Sequence, residues 1–238
     1  MPKEVIPCFS SPIIESYITN IPGLSEYFLY GNDDMFFGRP IKPEFFFTPS
    51  GNPIVYVKYF EKFKYIGDES DFMNKYKSVS TWMKTNLNSW KLLYNQYEKH
   101  EFYVLAHNID AYRKTLFQES LKRYQRPLLK SIQSRFRNEK EISRVLFNLD
   151  EVYSGHGVLK VVETPSFWKK HVYKPKGYSW VCYCGSEDEK TRKQIRRFEP
   201  YLFCINADSQ GRLKDKQAMK VFYEQLFPAA SPFEHEGL

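Results

Sequence analysis

Two neighbouring carboxylates, Asp33 and Asp34, follow the short apolar segment YFLY at residues 27–30. Adjacent carboxylates repel each other when both are ionised, and a bound cation relieves that repulsion. An acidic pair at the end of a strand is typical of a polar turn. The same oxygens are also ligands that Mg²⁺ or Mn²⁺ prefers in proteins. The local sequence leaves both interpretations open.

Three further residues have side chains suited to phosphate chemistry. His107 can accept a proton near neutral pH, although a lone histidine before a helix is more often a cap or a surface residue. Arg137 can present a planar fork to phosphate oxygens. Glu15 lies one helical turn after Ser11, where it can contact a ligand or simply complement the helix dipole. These residue types are compatible with phosphate chemistry but do not establish it.

The chain has 238 residues, a formal net charge of +7 and 18% aromatic residues. Such a basic protein attracts phosphates, nucleic acid, acidic polymers or an anionic membrane surface. No segment approaches the 18 or more apolar residues of a membrane-spanning helix, and the N-terminus lacks a signal-peptide layout. No sequence signature of a nucleic-acid-binding module is present, so nucleic acid is not an expected partner.

The four cysteines are few for this length, which favours free thiols in a reducing cytosol. They are Cys8, Cys182, Cys184 and Cys204. The Cys182-Tyr-Cys184 spacing is too tight for a usual zinc pair. Cysteine chemistry is therefore not expected.

Hydrophobic periodicity predicts strands that alternate with helices, which indicates an α/β fold with a large helical portion. Ser11 is expected to cap the first helix, and Asp110 to cap one that runs toward Tyr124. Further helices are predicted over 71–97 (with a break near 86–88), 139–153, 187–197 and 215–226, and strands over 27–30, 157–163, 178–184 and 201–205, with two more strands within 43–60. Ligands in such folds bind beyond the carboxyl ends of strands, where Asp33-Asp34 and Asn206-Ala207-Asp208 lie.

Three ordered motifs together resemble the Stealth family. The stretch FSSPIIESYITNIPGLSEYFLYGNDDMFFGRPIKPEFFF is similar to its second shared region. LAHNIDAYRKTLFQES with SRFRNEKEIS resembles the third region, and YLFCINADSQ with LFPAASPFE the fourth. The family comprises bacterial capsular-polysaccharide phosphotransferases and the animal N-acetylglucosamine-1-phosphotransferase.

The resemblance implies a glycosyltransferase-A-like (Rossmann-like) core, incomplete at the N-terminus. It implies one catalytic domain over 1–238 with a helical insertion at about 71–153. The expected reaction moves a sugar 1-phosphate from a UDP-sugar, similar to UDP-N-acetylglucosamine, to a hydroxyl of an acceptor polysaccharide in capsule or exopolysaccharide synthesis. The expected location is the bacterial cytoplasm, with an anionic membrane surface as an optional further partner.

The resemblance also assigns roles to residues. Asp33 and Asp34 would hold Mg²⁺ or Mn²⁺, with the direct ligand left open. His107 would act as general base and Arg137 would bind phosphate, and all four are expected to be catalytic. The expected substrate-binding residues are Ser11, Glu15, Asn32 and Asn206.

Two departures from the family pattern concern the donor site. The family's first region, a DxVYTWVDG-like strand and loop, is absent from the sequence. Ala207 follows Asn206 where the family has aspartate, and Asp208 is the candidate replacement. The alternative to an active transferase is thus an inactive or split-enzyme remnant that binds phosphate or polysaccharide.

Overall fold

The computed structural model of the chain describes residues 1–59, 69–162, 182–206 and 213–229. These residues belong to two compact units. Unit 1 comprises Met1–Tyr30, Lys42–Ala106 and Asp110–Val161, and unit 2 comprises Gly31–Ile41, His107–Ile109 and Val162–Leu238. Ala207, Asp208 and the first part of the strand predicted at 178–184 lie outside the described residues. The single-domain assignment stays a prediction.

Helices and strands alternate along the described chain, as expected of the α/β class. The helices are α1 (Ser11–Glu15), α2 (Glu69–Lys77), α3 (Thr81–Tyr97), α4 (Lys114–Arg123), α5 (Gln125–Ser131), α6 (Val145–Tyr153), α7 (Glu189–Phe198) and α8 (Leu213–Leu226). The strands are β1 (Tyr27–Tyr30), β2 (Met35–Phe37), β3 (Ile54–Tyr59), β4 (Tyr103–Leu105), β5 (Asp110–Arg113), β6 (Val158–Val161), β7 (Cys182–Ser186) and β8 (Leu202–Asn206). None of the described helices combines the length and the apolar character needed to cross a bilayer.

Unit 1 contains two small sheets and most of the helices. Strands β1 and β5 pair antiparallel, and β3 pairs antiparallel with β4 and parallel with β6. Helix α6 provides the fully buried Leu146 and Leu149 to a core that also contains Val57 of β3 and Phe117 of α4. Burial of these apolar side chains holds the sheets and the helices of unit 1 together.

Unit 2 is built on a three-stranded sheet in the order β2-β8-β7. Strand β8 pairs antiparallel with β2 and parallel with β7. Because side chains alternate along a strand, Phe203 and Ile205 share one face of β8 and Cys204 shares the other face with Asn206. Phe203 and Ile205 pack with Ile195 of α7 and other apolar residues of α7 and α8. The opposite face carries the buried Leu202 and Cys204, with Asn206 at its end, and Met35 of β2 lies directly beside Cys204.

The mixed α/β class with a large helical portion is confirmed and is consistent with a glycosyltransferase-like core. Several element assignments need correction. Asp110 begins strand β5 instead of capping a helix, because residues 110–113 pair with β1 and α4 starts only at Lys114. The break predicted near 86–88 falls instead between α2 and α3, where the Ser80 side chain accepts a hydrogen bond from the Met83 amide at 3.3 Å.

The start of α1 and the segment before β3 also differ from expectation. The cap residue of α1 is Ser10, one residue before the predicted Ser11, and its side chain makes no capping hydrogen bond. Instead, Ser10 Oγ donates to Glu141 Oε2 at 2.7 Å. The first of the two strands predicted within 43–60 is absent: residues Pro43–Phe45 form a 3-10 turn, and one isolated bridge joins Phe47 to Pro53.

Candidate functional site

The Asp33-Asp34 pair occupies the centre of a tight turn at the start of β2. The Met35 amide donates to the Asn32 carbonyl at 3.1 Å, which closes the turn, and the Ile205 amide of β8 donates to the Asp34 carbonyl at 3.0 Å. Asp33 is exposed and Asp34 is partly buried. The turn interpretation is therefore right for the backbone, and the surroundings of Asp34 decide what else the pair can do.

The Asp34 carboxylate lies beside residues from two other parts of the chain. His107 Nε2 is 3.7 Å from Asp34 Oδ2, an electrostatic contact longer than a hydrogen bond. The Cys204 thiol donates to the same oxygen at 3.1 Å, and Cys204 Sγ is 3.7 Å from Asn206 Oδ1. Unit 2 thus brings together residues from the three motifs that suggested the family.

His107 has an unusual backbone conformation for a residue with a side chain. Its φ is +56°, in the left-handed region where non-glycine residues are uncommon. Such strain often accompanies functional positions. The next residue, Asn108, is buried, and neither of its side-chain amide atoms has a hydrogen-bond partner among the described residues. An unsatisfied buried amide is costly, so Asn108 is an unusual neighbour for His107.

The environment of Cys204 keeps its thiol protonated. Hydrogen bonding with Cys184, burial and the nearby Asp34 carboxylate raise the pKa of Cys204 well above its ordinary value. A protonated thiol is a donor, which agrees with its hydrogen bond to Asp34 Oδ2. Cys204 therefore helps to orient the Asp34 carboxylate.

The residues around Asp34 fit a divalent cation in one specific respect. Asp34 Oδ1 is buried and has no hydrogen-bond partner among the described residues. A carboxylate oxygen left open in this way is available to a hard cation such as Mg²⁺, which commonly takes one or two protein carboxylates and completes its shell with waters and phosphate oxygens.

The other predicted site residues, Ser11, Glu15 and Arg137, lie in unit 1. The Arg137 guanidinium donates to Ser11 Oγ. The Phe9 amide donates to the Arg135 carbonyl at 2.7 Å, and the exposed rings of Phe9 and Phe136 stack with centroids 5.4 Å apart. The FSSP and FR motifs, more than 100 residues apart in sequence, are therefore neighbours in the fold.

Glu15 lies in a buried ionic network of unit 1. Arg144 donates from Nε to Asp110 Oδ2 at 2.9 Å and from Nη1 to Glu15 Oε1 at 3.3 Å. The Tyr30 hydroxyl donates to Glu15 Oε1 at 3.0 Å. Burial raises the pKa of Asp110 to about 6 and, with the neighbouring carboxylates, raises that of Tyr30. Nearby acidic groups raise the pKa of Arg144 despite its burial, so it stays charged.

The structure thus separates the predicted site residues into two groups. Asn32, Asp33, Asp34, His107 and Asn206 belong to unit 2, whereas Ser11, Glu15 and Arg137 belong to unit 1.

Sequence reasoning missed four polar residues: Cys184, Cys204, Asn108 and Arg144. Strand pairing is the signal that could have shown the two thiols to be neighbours, because Cys184 and Cys204 are direct partners on β7 and β8. Arg144 is a basic residue just before an apolar helix, and that position in the sequence does not indicate a buried ion pair.

Comparison with known proteins places this site in context. Residues 1–55 match the Stealth protein conserved region 2. The chain is also 26% identical over 242 residues to the capsular polysaccharide phosphotransferase SacB of Neisseria meningitidis serogroup A. It is 27% identical over 242 residues to the exopolysaccharide phosphotransferase CpsY of Mycobacterium tuberculosis.

These similarities confirm the Stealth resemblance. Each covers 98% of this chain and 41% of the relative. The chain therefore spans about two-fifths of the length of the curated relatives that it matches. Asp33 and Asp34 lie within the segment matched by conserved region 2, whereas His107 and Asn206 lie beyond it.

Proposed function

We propose that this chain forms part of a phosphotransferase that moves a sugar 1-phosphate from a UDP-sugar to a hydroxyl of an acceptor polysaccharide, in capsule or exopolysaccharide synthesis. The names of its relatives support phosphotransfer to such polymers. The observation that carries the proposal is the contact of Asp34 with His107 beside Asn206, since these residues come from three separate motifs.

The chemical logic is that of phosphoryl transfer, in which the protein positions groups and stabilises charge. The acceptor hydroxyl must lose a proton as its oxygen attacks phosphorus and the nucleoside monophosphate leaves. The His107 imidazole is the proton acceptor in this proposal, as general base. The Asp34 carboxylate, 3.7 Å from Nε2, would stabilise the imidazolium that forms and favour the orientation of the ring.

Asp34 would also hold Mg²⁺ or Mn²⁺. When bound, this cofactor would neutralise the negative charge of the diphosphate. Asn206 would contact the donor from the neighbouring strand, and Asn32 would do so from the turn. Arg137 and Ser11, joined by a hydrogen bond in unit 1, are proposed to bind phosphate and sugar oxygens. The Glu15 carboxylate already accepts hydrogen bonds from Tyr30 and Arg144. Its proposed part in substrate binding therefore requires that one carboxylate oxygen remain available to the ligand.

The test measures release of UMP from UDP-N-acetylglucosamine in the presence of Mg²⁺ and an oligosaccharide acceptor. The assay is run with the chain alone and with a separately expressed segment that supplies the family's first region. His107→Gln should lower turnover by roughly 100-fold or more, the usual contribution of a general base. His156→Gln is the matched control, because His156 is exposed and belongs to none of the motifs.

Two results would contradict the transferase proposal. If His107→Gln turned over at the wild-type rate, His107 would not be the general base. Tight binding of the UDP-sugar without UMP release in either format would instead support the remnant that binds without catalysis.

A further inference from the structure

Two thiols and an imidazole converge on the face of the unit 2 sheet opposite Phe203 and Ile205. Cys184 and Cys204 are directly opposite each other on the parallel strands β7 and β8, so their side chains leave the same face. Asn206 Nδ2 donates to Cys184 Sγ at 3.5 Å. The ligand atoms of His107, Cys184 and Cys204 all lie within 4.8 Å of one another.

Asp34 provides a fourth potential ligand at the same place. Its Oδ2 atom is 3.1 Å from Cys204 Sγ and 3.7 Å from His107 Nε2. Its Oδ1 atom is buried without a hydrogen-bond partner among the described residues. Two sulfurs, one imidazole nitrogen and one carboxylate oxygen make a ligand set typical of a tetrahedral zinc site, and the thiolates disfavour Mg²⁺.

The spacing of these atoms is close to what zinc requires. A Zn–S bond of about 2.3 Å implies ligand atoms about 3.8 Å apart in a tetrahedron. The separation of up to 4.8 Å among the ligand atoms of His107, Cys184 and Cys204 therefore has to shrink by about 1 Å. The paired strands already fix the positions of both cysteine backbones, so the remaining adjustment falls to the side chains.

We propose that Cys184, Cys204 and His107 bind a thiophilic divalent cation, Zn²⁺, with Asp34 as the fourth ligand. Binding converts both thiols to thiolates and releases their two protons to solvent. The site does not depend on the proposed phosphotransfer. It does use His107 and Asp34, so Zn²⁺ would withdraw the base and the carboxylate from that reaction and inhibit it.

The test titrates the full chain, reduced and freed of metal, with Co²⁺ as a spectroscopic substitute for Zn²⁺. One equivalent should produce intense near-ultraviolet absorption from sulfur-to-cobalt charge transfer and visible bands of tetrahedral cobalt. Zn²⁺ should abolish these bands at one equivalent, whereas Mg²⁺ in roughly 1,000-fold excess should leave them, because Mg²⁺ prefers oxygen ligands.

Variants identify the ligands. Cys184→Ser should remove the charge-transfer band or lower the affinity for Co²⁺ at least about 10-fold, and Cys204→Ser should do the same. Cys8→Ser, in unit 1, is the matched control and should bind Co²⁺ as the wild type does. Because Cys204 is fully buried and its variant can fail to fold, the decisive comparison is Cys184→Ser with Cys8→Ser.

The proposal is overturned if the reduced wild type shows no cobalt–thiolate band, or if Cys184→Ser keeps the full band. A protein that binds Co²⁺ in this way but never releases UMP retains the zinc site and loses the proposed transferase function. The two proposals therefore fail separately.

Discussion

Asp33 and Asp34 are neighbours in sequence but have different surroundings. Asp33 is exposed, whereas Asp34 contacts Cys204 and His107 and keeps one buried oxygen open. We therefore expect Asp34 to be the direct ligand of Mg²⁺. Asp34→Asn should weaken Mg²⁺-dependent binding of the UDP-sugar at least about 10-fold, and Asp33→Asn by less than about 3-fold. Isothermal titration with and without EDTA measures this, and equal losses in both variants, or no effect of EDTA, would contradict the assignment.

Asp110 gives a pH dependence of stability at the residue scale. Its folded-state pKa is raised from 3.8 to about 6 by burial, so between these values the folded chain holds a proton that the unfolded chain lacks. The stability from this group is therefore present below about pH 4 and is lost as the pH rises through about 6. The free energy of unfolding of the wild type relative to Asp110→Asn should fall over that range, by about 3 kcal/mol at most.

Urea unfolding of both proteins at several pH values between 4 and 7.5 measures the difference. The difference between the wild type and Asp110→Asn cancels the contributions of the other titrating groups to the free energy of unfolding, because both proteins contain those groups. A difference that stays constant or rises with pH would mean that Arg144, 2.9 Å away, already holds Asp110 ionised at low pH.

At the scale of elements, α7 shows how local sequence determines a boundary. Asp188 Oδ1 accepts a hydrogen bond from the Thr191 amide at 2.7 Å, and Glu189 starts the helix. Asp188→Ala should lower the free energy of unfolding by about 1 kcal/mol, and Asp188→Ser by less. Glu189→Ala is the control, because its exposed ion pair with Lys193 contributes little. Thermal and urea unfolding compare the variants, and equal effects at 188 and 189 would contradict a capping role.

Elements with strong local signals were predicted well, and those decided by pairing were not. The strand at Tyr27–Tyr30 was right, and the strand predicted over 201–205 was found at Leu202–Asn206, because each is a short apolar run. Asp110 was misassigned because aspartate is a common helix cap, yet pairing with β1 overrides that preference. The break of the long helix fell at Ser80 because a serine cap outweighs the weaker signal of two asparagines.

At the scale of the whole molecule, family motifs predicted which residues matter but not which of them meet. Asp34, His107 and Asn206 are brought together by the unit 2 sheet, whereas Ser11, Glu15 and Arg137 share unit 1. The thiols were dismissed because spacing along the chain is the only zinc signal that a sequence offers. Cys184 and Cys204 become neighbours through two paired strands, a relation that spacing does not encode.

From the net charge of +7 we predict a weak attraction to an anionic membrane surface, and we assign it to the exposed lysines of α7 in unit 2. Thr191, Ile195 and Phe198 form its buried face, which leaves Lys190 and Lys193 exposed. Each lysine near such a surface contributes about 1 kcal/mol. Lys190→Gln with Lys193→Gln should therefore weaken binding to phosphatidylserine vesicles by roughly 10-fold or more at low salt.

Vesicle co-sedimentation at low and high ionic strength measures this, and the binding of the wild type should disappear at high salt because exposed charges are screened. The matched control changes two exposed lysines of unit 1, Lys99→Gln with Lys140→Gln, and lowers the net charge by the same amount. A local basic face on α7 predicts a larger loss in the first double variant than in the control. Equal losses would assign the attraction to net charge alone, and binding that resists high salt would require an apolar contribution instead.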